Sequence, residues 1–158
     1  MSDYYVVTFL LADEAYCIPV SRVQEIQGYH AHPPPRPMPD AHPFFEGLID
    51  LRGQVVPVLD LRQRFGLAKV TPSRKTCYII IDTETEKVGL MVDAVMEVQH
   101  VGAQDFNMSP SQGSWAIHQN YILGVGKLRS KSAEAADAQR LVVLLDVDRL
   151  MAFSAAES

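Results

Sequence analysis

The chain lacks the features that mark several large classes of protein. Its 158 residues include only two cysteines, Cys17 and Cys77, and both lie within hydrophobic strand patterns, which predicts buried reduced thiols rather than a disulfide. No apolar run approaches the roughly 18 residues that a membrane helix needs, and the first twenty residues lack the basic start and the cleavage site of a secretory signal. We therefore expect a cytoplasmic protein that does not insert into a membrane.

Positive charge is also scarce. Lysine and arginine number 14 against 19 aspartate and glutamate residues, which gives a formal net charge of −5. Because a nucleic-acid binder needs a basic face to displace counterions, nucleic acid is not the expected partner. The chain also has no glycine-flanked nucleophile elbow, no phosphate loop and no receiver pattern, so we expect no catalytic residues and no cofactor.

An internal repeat is the main positive signal. Residues 5–27, "YVVTFLLADEAYCIPVSRVQEIQ", align without a gap with residues 77–99, "CYIIIDTETEKVGLMVDAVMEVQ". Each copy predicts a strand, an acidic turn, a second strand and a closing tail. The two tails carry identical residues at a spacing of two: Val23, Glu25 and Gln27 in the first copy, and Val95, Glu97 and Gln99 in the second.

A hairpin is repeated as well. "GLIDLR" at 47–52 resembles "GVGKLR" at 124–129, and "VVPVLDLRQRF" at 55–65 resembles "LVVLLDVDRLM" at 141–151. The first copy has a tight turn with Arg52 at its tip, whereas "SKSAEAADAQ" lengthens the second.

Each repeated hairpin ends in a helix signal. Asp60 and Asp146 are placed to cap the first turn of a short helix, and Gly66 predicts the end of the first helix. Pro57, in the middle of its strand, predicts an edge strand or a bulge.

The repeat predicts an all-β fold with short helices, arranged as two small β-barrel-like lobes of one domain that spans residues 1–158. The sequence halves run from about 5 to 66 and from about 77 to 151. Strand exchange between the lobes is compatible with this pattern, so the sequence halves need not be the spatial halves.

The loop after the first tail contains alternatives. His30, His32 and His42 could hold a metal with Asp40, and "PPPRPMP" at 33–39 could form a polyproline II segment for an aromatic groove. No cysteine and no helical spacing support the metal site, so we favour a surface loop and predict no metal. A metal-binding or small-ligand β-barrel stays an alternative.

The order of the motifs is typical of one known family. "VQEIQGY" at 23–29, "GLIDLRGQVVPVLDLRQRFG" at 47–66, "KVGLMVDAVMEV" at 87–98 and "YILGVGKL" at 121–128 resemble, in that order, the CheW family of chemotaxis coupling proteins. The resemblance covers nearly the whole chain. It implies two SH3-like five-stranded β-barrels about a pseudo-two-fold axis, and a non-catalytic adaptor.

The resemblance also implies partners. Such adaptors couple the cytoplasmic tips of transmembrane chemoreceptors to the regulatory domain of the histidine kinase CheA, so we expect the chain at membrane-associated receptor arrays. Arg52 and Glu25 would contact partners, with Val23 and Gly47 at the same surface, and the groove between the lobes would take the receptor tip.

Two loops, 31–43 and 130–140, are longer than the family pattern, so a coupling protein of a different chemosensory array, for example one governing surface motility, remains an alternative.

Overall fold

A computed structural model describes residues 4–39, 41–107, 121–129 and 139–152. Eleven strands and two short helices dominate this part of the chain, so the prediction of a mainly β fold is confirmed. The strands are β1 (Tyr4–Leu11), β2 (Glu14–Pro19), β3 (Val23–Gly28), β4 (Phe45–Leu51), β5 (Gln54–Asp60), β6 (Cys77–Asp82), β7 (Lys87–Val92), β8 (Ala94–Val101), β9 (Phe106–Asn107), β10 (Ile122–Arg129) and β11 (Gln139–Leu145). The helices are α1 (Leu61–Arg64) and α2 (Val147–Met151).

The strands form two sheets. The larger has the order β8-β1-β2-β11-β10-β9, and the smaller has the order β3-β6-β7-β5-β4. The β1–β2 hairpin lies among strands of the second half, and the β6–β7 hairpin lies among strands of the first half. Neither sheet is therefore made from one half of the sequence alone.

The two sheets repeat one pairing scheme. In each, the central hairpin pairs antiparallel with the tail strand of the other half, as β1 does with β8 and β6 does with β3. On the opposite side each hairpin meets a parallel strand, β11 beside β2 and β5 beside β7. The sequence repeat thus corresponds to a repeat in strand order.

Side chains alternate between two kinds of core along the central strands. On β6, Ile79 and Ile81 point into a core shared by both sheets, whereas Tyr78 and Ile80 point into a smaller core of the five-stranded sheet. The period of two follows from strand geometry. Burial of each such isoleucine contributes on the order of 1.5–3 kcal/mol, so the shared core binds the two sheets into one body.

Both predicted helix caps are confirmed. The Asp60 carboxylate accepts a hydrogen bond from the Arg62 N–H at 2.9 Å, and Asp146 accepts one from the Arg149 N–H at 3.1 Å. Gly66 follows α1 with a φ of 75°, the left-handed conformation that favours glycine at a helix end. Each hairpin therefore ends in a capped helical turn.

A buried arginine connects the two helices. The Arg64 side chain of α1 donates from Nε to the carbonyl of Leu150 at 2.8 Å, at the C-terminal end of α2. Its guanidinium lies over the rings of Phe44 and Tyr121, at 5.1 and 4.5 Å from their centroids. A cation at a helix C-terminus complements the helix dipole, so this contact stabilises the junction of the two halves.

The predicted edge position of Pro57 is wrong, and the register shift in this strand pair lies opposite Val58 and Leu59, next to Pro57. β5 is an interior strand, between β4 and β7. Leu48, which faces Pro57, directs both its N–H and its carbonyl to Arg36 instead, and the ladder to β7 begins only at Val58. The missing N–H of proline therefore costs no ladder hydrogen bond, which explains how an interior strand accommodates it.

The cysteines differ from each other. Cys17 and Cys77 are both free thiols. Cys17 is fully buried, as predicted, but Cys77 is only half-buried because it is the first residue of its strand. Its Sγ donates to the Lys75 carbonyl at 3.1 Å.

Candidate functional site

The turn between β4 and β5 holds Arg52 in an uncommon conformation. Arg52 and Gly53 have φ values of 51° and 87°, and two central residues with positive φ define the tight hairpin turn whose twist matches that of its strands. The Gly53 N–H donates to the Asp50 carboxylate at 2.7 Å, which fixes the turn further. Arg52 therefore projects from a rigid corner.

The Arg52 side chain is bound to Glu25. Nη1 donates to Oε1 at 3.1 Å and Nη2 donates to Oε2 at 2.5 Å, so the pair is bidentate. The Arg52 side chain nevertheless remains 68% exposed, against 24% for Glu25. The structure thus brings together the two charged residues that the sequence singled out, and it leaves the arginine open to a partner.

This ion pair joins the two ends of the smaller sheet. Glu25 lies on β3, one edge strand, and Arg52 follows β4, the other edge strand. The strands at opposite ends of the order approach each other only because the sheet curls strongly. The curl explains why residues 27 positions apart in the chain meet here.

The pair favours its charged forms. Hydrogen bonds from Arg52 and then from Gln27 hold the pKa of Glu25 below its ordinary value, and the bond to Glu25 raises the pKa of Arg52. Both groups therefore stay ionised at neutral pH. A fixed guanidinium whose remaining N–H groups face solvent suits a carboxylate or carbonyl acceptor on a partner.

Two further residues belong to this site, and the sequence reasoning missed their role. Gln27 donates from Nε2 to Oε1 of Glu25 at 2.6 Å, and His32 Nε2 lies 3.1 Å from Oε1 of Gln27. The spacing of two along β3 could have placed Gln27 beside Glu25. No pattern in the sequence indicated that His32 returns to this strand.

The other two predicted contact residues lie differently. Val23, at the start of β3, is partly buried and packs against the shared core. Gly47 is buried beneath the proline-rich segment, with a φ of 153°, and a Cβ at this position would lie 2.3 Å from the Arg36 carbonyl oxygen. Arg36 and Leu48 exchange two backbone hydrogen bonds of 2.8 Å at the same place. Gly47 therefore packs against the chain's own backbone.

The histidines of the first loop have separate partners. His30 Nε2 lies 3.1 Å from the Ser73 carbonyl, His32 contacts Gln27, and His42 Nδ1 accepts from the Phe44 N–H at 3.2 Å. No three His, Cys, Asp or Glu residues converge to hold a metal within the described residues. Asp40 lies outside them, as do residues 130–138 of the second long loop.

The space between the sheets is filled by the shared core, and an open groove runs along one edge of it. Its apolar lining comes from Phe45, Val88 and Met151. Its acidic lining comes from the β6–β7 turn at 83–86 and from Asp148. The groove thus combines an apolar surface with acidic groups.

None of the helices in the described ranges is long and apolar enough to cross a bilayer.

The CheW-like domain family matches residues 5–154. The chain is 30% identical to the chemotaxis protein CheW of Klebsiella aerogenes over 143 residues, which cover 90% of this chain and 78% of the relative. It is 28% identical to the probable chemotaxis protein CheW of Rhizobium etli, with 99% and 91% covered.

A solved structure agrees with these sequence matches. The scaffolding protein TtCheW from Thermoanaerobacter tengcongensis superposes with a TM-score of 0.80 at 27% sequence identity, with 99% of this chain and 98% of the other covered. Both the strands and the sequence motifs of the chain are therefore matched over almost their full extent.

Proposed function

Because this chain belongs to the CheW family of chemotaxis scaffold proteins, we propose that it is a non-catalytic adaptor that couples transmembrane chemoreceptors to the histidine kinase CheA. It acts in the cytoplasm, at arrays in which the receptors and the kinase are held together. The observation that carries this proposal is the rigid corner at Arg52, where an exposed guanidinium is held by Glu25.

The receptor side of the proposal uses the arginine corner and the groove. The cytoplasmic tip of a chemoreceptor is a helical hairpin, and an amphipathic helix binds by laying its apolar face into an apolar groove. The lining of Phe45, Val88 and Met151 supports such a contact. Arg52 would then bond a receptor carboxylate or carbonyl, which fixes the register more than it adds affinity.

The kinase side uses exposed strand and loop edges. The regulatory domain of CheA has, by the family resemblance, the same fold as this chain, so the two would meet lobe to lobe. The edges of β3 and β8, which end their sheets in the described residues, support this mode, because an unpaired strand edge is a template for a further chain.

The test is a binding measurement with two purified partners, a receptor cytoplasmic fragment and a kinase regulatory domain. We expect the unmodified chain to bind both, and Arg52→Glu to weaken binding of the receptor fragment by at least about tenfold, the scale of a central interface arginine. Arg129→Glu is the matched control, because Arg129 is exposed and ends the corresponding strand of the second half.

If the unmodified chain bound neither the receptor fragment nor the kinase domain, the adaptor function would be refuted. Equal effects of Arg52→Glu and Arg129→Glu on receptor binding would refute the role of Arg52. Receptor fragments from separate arrays, including one that governs surface motility, would identify the array that the chain serves.

A further inference from the structure

A chain of side-chain hydrogen bonds runs from the proline-rich loop to the arginine corner. It begins at His32, passes through Gln27 and Glu25, and ends at Arg52. The four side chains connect β3 with the β4–β5 turn and with the segment that follows β3. The loop that contains His32 is thus in direct contact with the candidate partner site.

The direction of each bond in this chain is fixed by chemistry. Gln27 donates from Nε2 to Glu25, so its Oε1 must accept, and His32 Nε2 must carry the proton that it donates. Without this donor, the Gln27 amide oxygen would lose its partner, and only the bond from Nε2 to Glu25 would hold the amide in place. Glu25 Oε1 accepts from both Gln27 and Arg52, so the orientation of the amide bears on that of the carboxylate.

His32 is itself held by its surroundings. The ring of His32 lies 6.4 Å from that of the buried Tyr78, and the backbone N–H of His32 donates to the Tyr29 carbonyl at 3.4 Å. Its backbone is extended, with φ −132° and ψ 158°, as expected for a residue before proline. The conformation of the proline-rich segment therefore determines where the His32 donor lies.

From these contacts we propose that His32 is a positioning residue for Arg52: through Gln27 it fixes the Glu25 carboxylate and thereby the direction in which the guanidinium is presented. The residue acts through others and needs no contact with the partner. Its consequence for partner binding rests on the proposed adaptor function, whereas its effect on the guanidinium does not.

The guanidinium can be observed directly by NMR. Bidentate pairing restricts rotation about the Arg52 Nε–Cζ bond, and ¹⁵N exchange measurements give that rotation rate, with the signal assigned from an Arg52→Lys variant. We expect His32→Phe, which keeps a ring beside Tyr78 but removes the donor, to speed rotation several-fold. Gln27→Met, a change at the next link of the chain, should do the same.

The matched control is His30→Phe. His30 is also a histidine of this loop, but its Nε2 faces the Ser73 carbonyl and not Gln27. We expect it to leave the rotation rate of Arg52 unchanged. An unchanged rate in His32→Phe, whatever Gln27→Met does, or an equal change in all three variants would overturn the proposal.

A double-mutant cycle tests the consequence for binding. We expect His32→Phe to weaken receptor-fragment binding by about three- to tenfold, the effect of one hydrogen bond, and to have no further effect in an Arg52→Ala background. A full effect in that background would show that His32 does not act through Arg52, and would overturn the proposal. If the unmodified chain binds no partner, the adaptor function fails, and the rotation rate alone decides the role of His32.

Discussion

The two halves of the chain carry the same residues at two corners and use them differently. In the first half Arg52 reaches Glu25 with its guanidinium. In the second half it is the backbone carbonyl of Arg129 that is bound, by Nε2 of Gln99 at 2.5 Å. Identical side chains in equivalent places therefore do not make equivalent sites.

The turns account for part of the difference. Arg52 sits in a two-residue turn between paired residues Leu51 and Gln54, whereas Arg129 pairs with Gln139 at the base of a much longer connection. The neighbouring strands also differ, because the Thr8 hydroxyl bonds the backbone of Glu97, whereas Ile80, which faces Glu25, has no hydroxyl. A tight turn is what converts a repeated arginine into a rigid one.

Crowding β4, the strand that leads to the first corner, should have the largest effect. In Gly47→Ala the new Cβ would lie 2.3 Å from the Arg36 oxygen, and φ would remain at 153°. We expect a loss of about 2–4 kcal/mol in the free energy of unfolding, measured with urea, from the combined overpacking and backbone strain.

A comparably crowded glycine in the second half is Gly126, and in Gly126→Ala the new Cβ would lie 2.3 Å from the Asp105 oxygen. It should cost a similar amount, because β10 is covered by β9 as β4 is covered by Arg36. Gly53→Ala is the control, since a Cβ there meets nothing within 4 Å and only the strain of positive φ, about 1 kcal/mol, is expected. Equal losses at Gly47 and Gly53 would contradict the role of packing.

Lengthening the first turn should make the first corner resemble the second. Insertion of Ser-Gly-Ser after Gly53 leaves Arg52 in the chain but removes the tight turn. We expect receptor-fragment binding to weaken about tenfold, while the free energy of unfolding changes by less than about 1 kcal/mol, because loop closure costs little per added residue. Unchanged affinity would show that the rigidity of the turn has no part in binding.

Breaking the contact at the second corner should have a smaller effect. Gln99→Leu removes the hydrogen bond to the Arg129 carbonyl, which lies at an exposed position. The free energy of unfolding should fall by about 0.5 kcal/mol, at the low end for a single hydrogen bond, and partner binding should not change. A marked loss of partner binding would place a functional contact at the second corner as well.

The smallest effect concerns protonation. The pKa of Glu25 is lowered in the folded chain, so its ion pair stabilises the fold above the ordinary pKa of the unfolded carboxyl, and this contribution is lost as pH falls through the folded value. A ¹³C NMR titration should give a Glu25 pKa below 4.5, and Arg52→Ala should raise it towards that value. A pKa indifferent to Arg52→Ala would contradict the ion pair in solution.

Much of this architecture could be predicted from local patterns. The continuous run of Ile79, Ile80 and Ile81 is typical of a strand that is buried on both faces. The carboxylates of Asp60 and Asp146 mark helix starts, because each accepts a hydrogen bond from an N–H two or three residues later. Such signals act over a few residues.

The features that the sequence did not show depend on how distant segments of the chain are placed relative to each other. Arg52 and Glu25 were both recognised, but their bond requires the curl of a whole sheet, which no short segment encodes. His32 reaches Gln27 only because the chain turns back after Gly28. The missing N–H of Pro57 predicts an edge strand or a bulge. The edge position is wrong because the ladder to β7 begins only at Val58, and that register between distant strands is not visible in the sequence.

The exchange of hairpins has a consequence for the origin of the chain. A polypeptide made only of the first half would supply β1 and β2 to one sheet and β3 to β5 to the other, and it would complete neither. Two such polypeptides could complete each other only as an intertwined, symmetric dimer. Joining those two copies end to end yields the strand order seen here, so the chain has the topology of a fused dimer whose halves cannot be separated without disrupting both sheets.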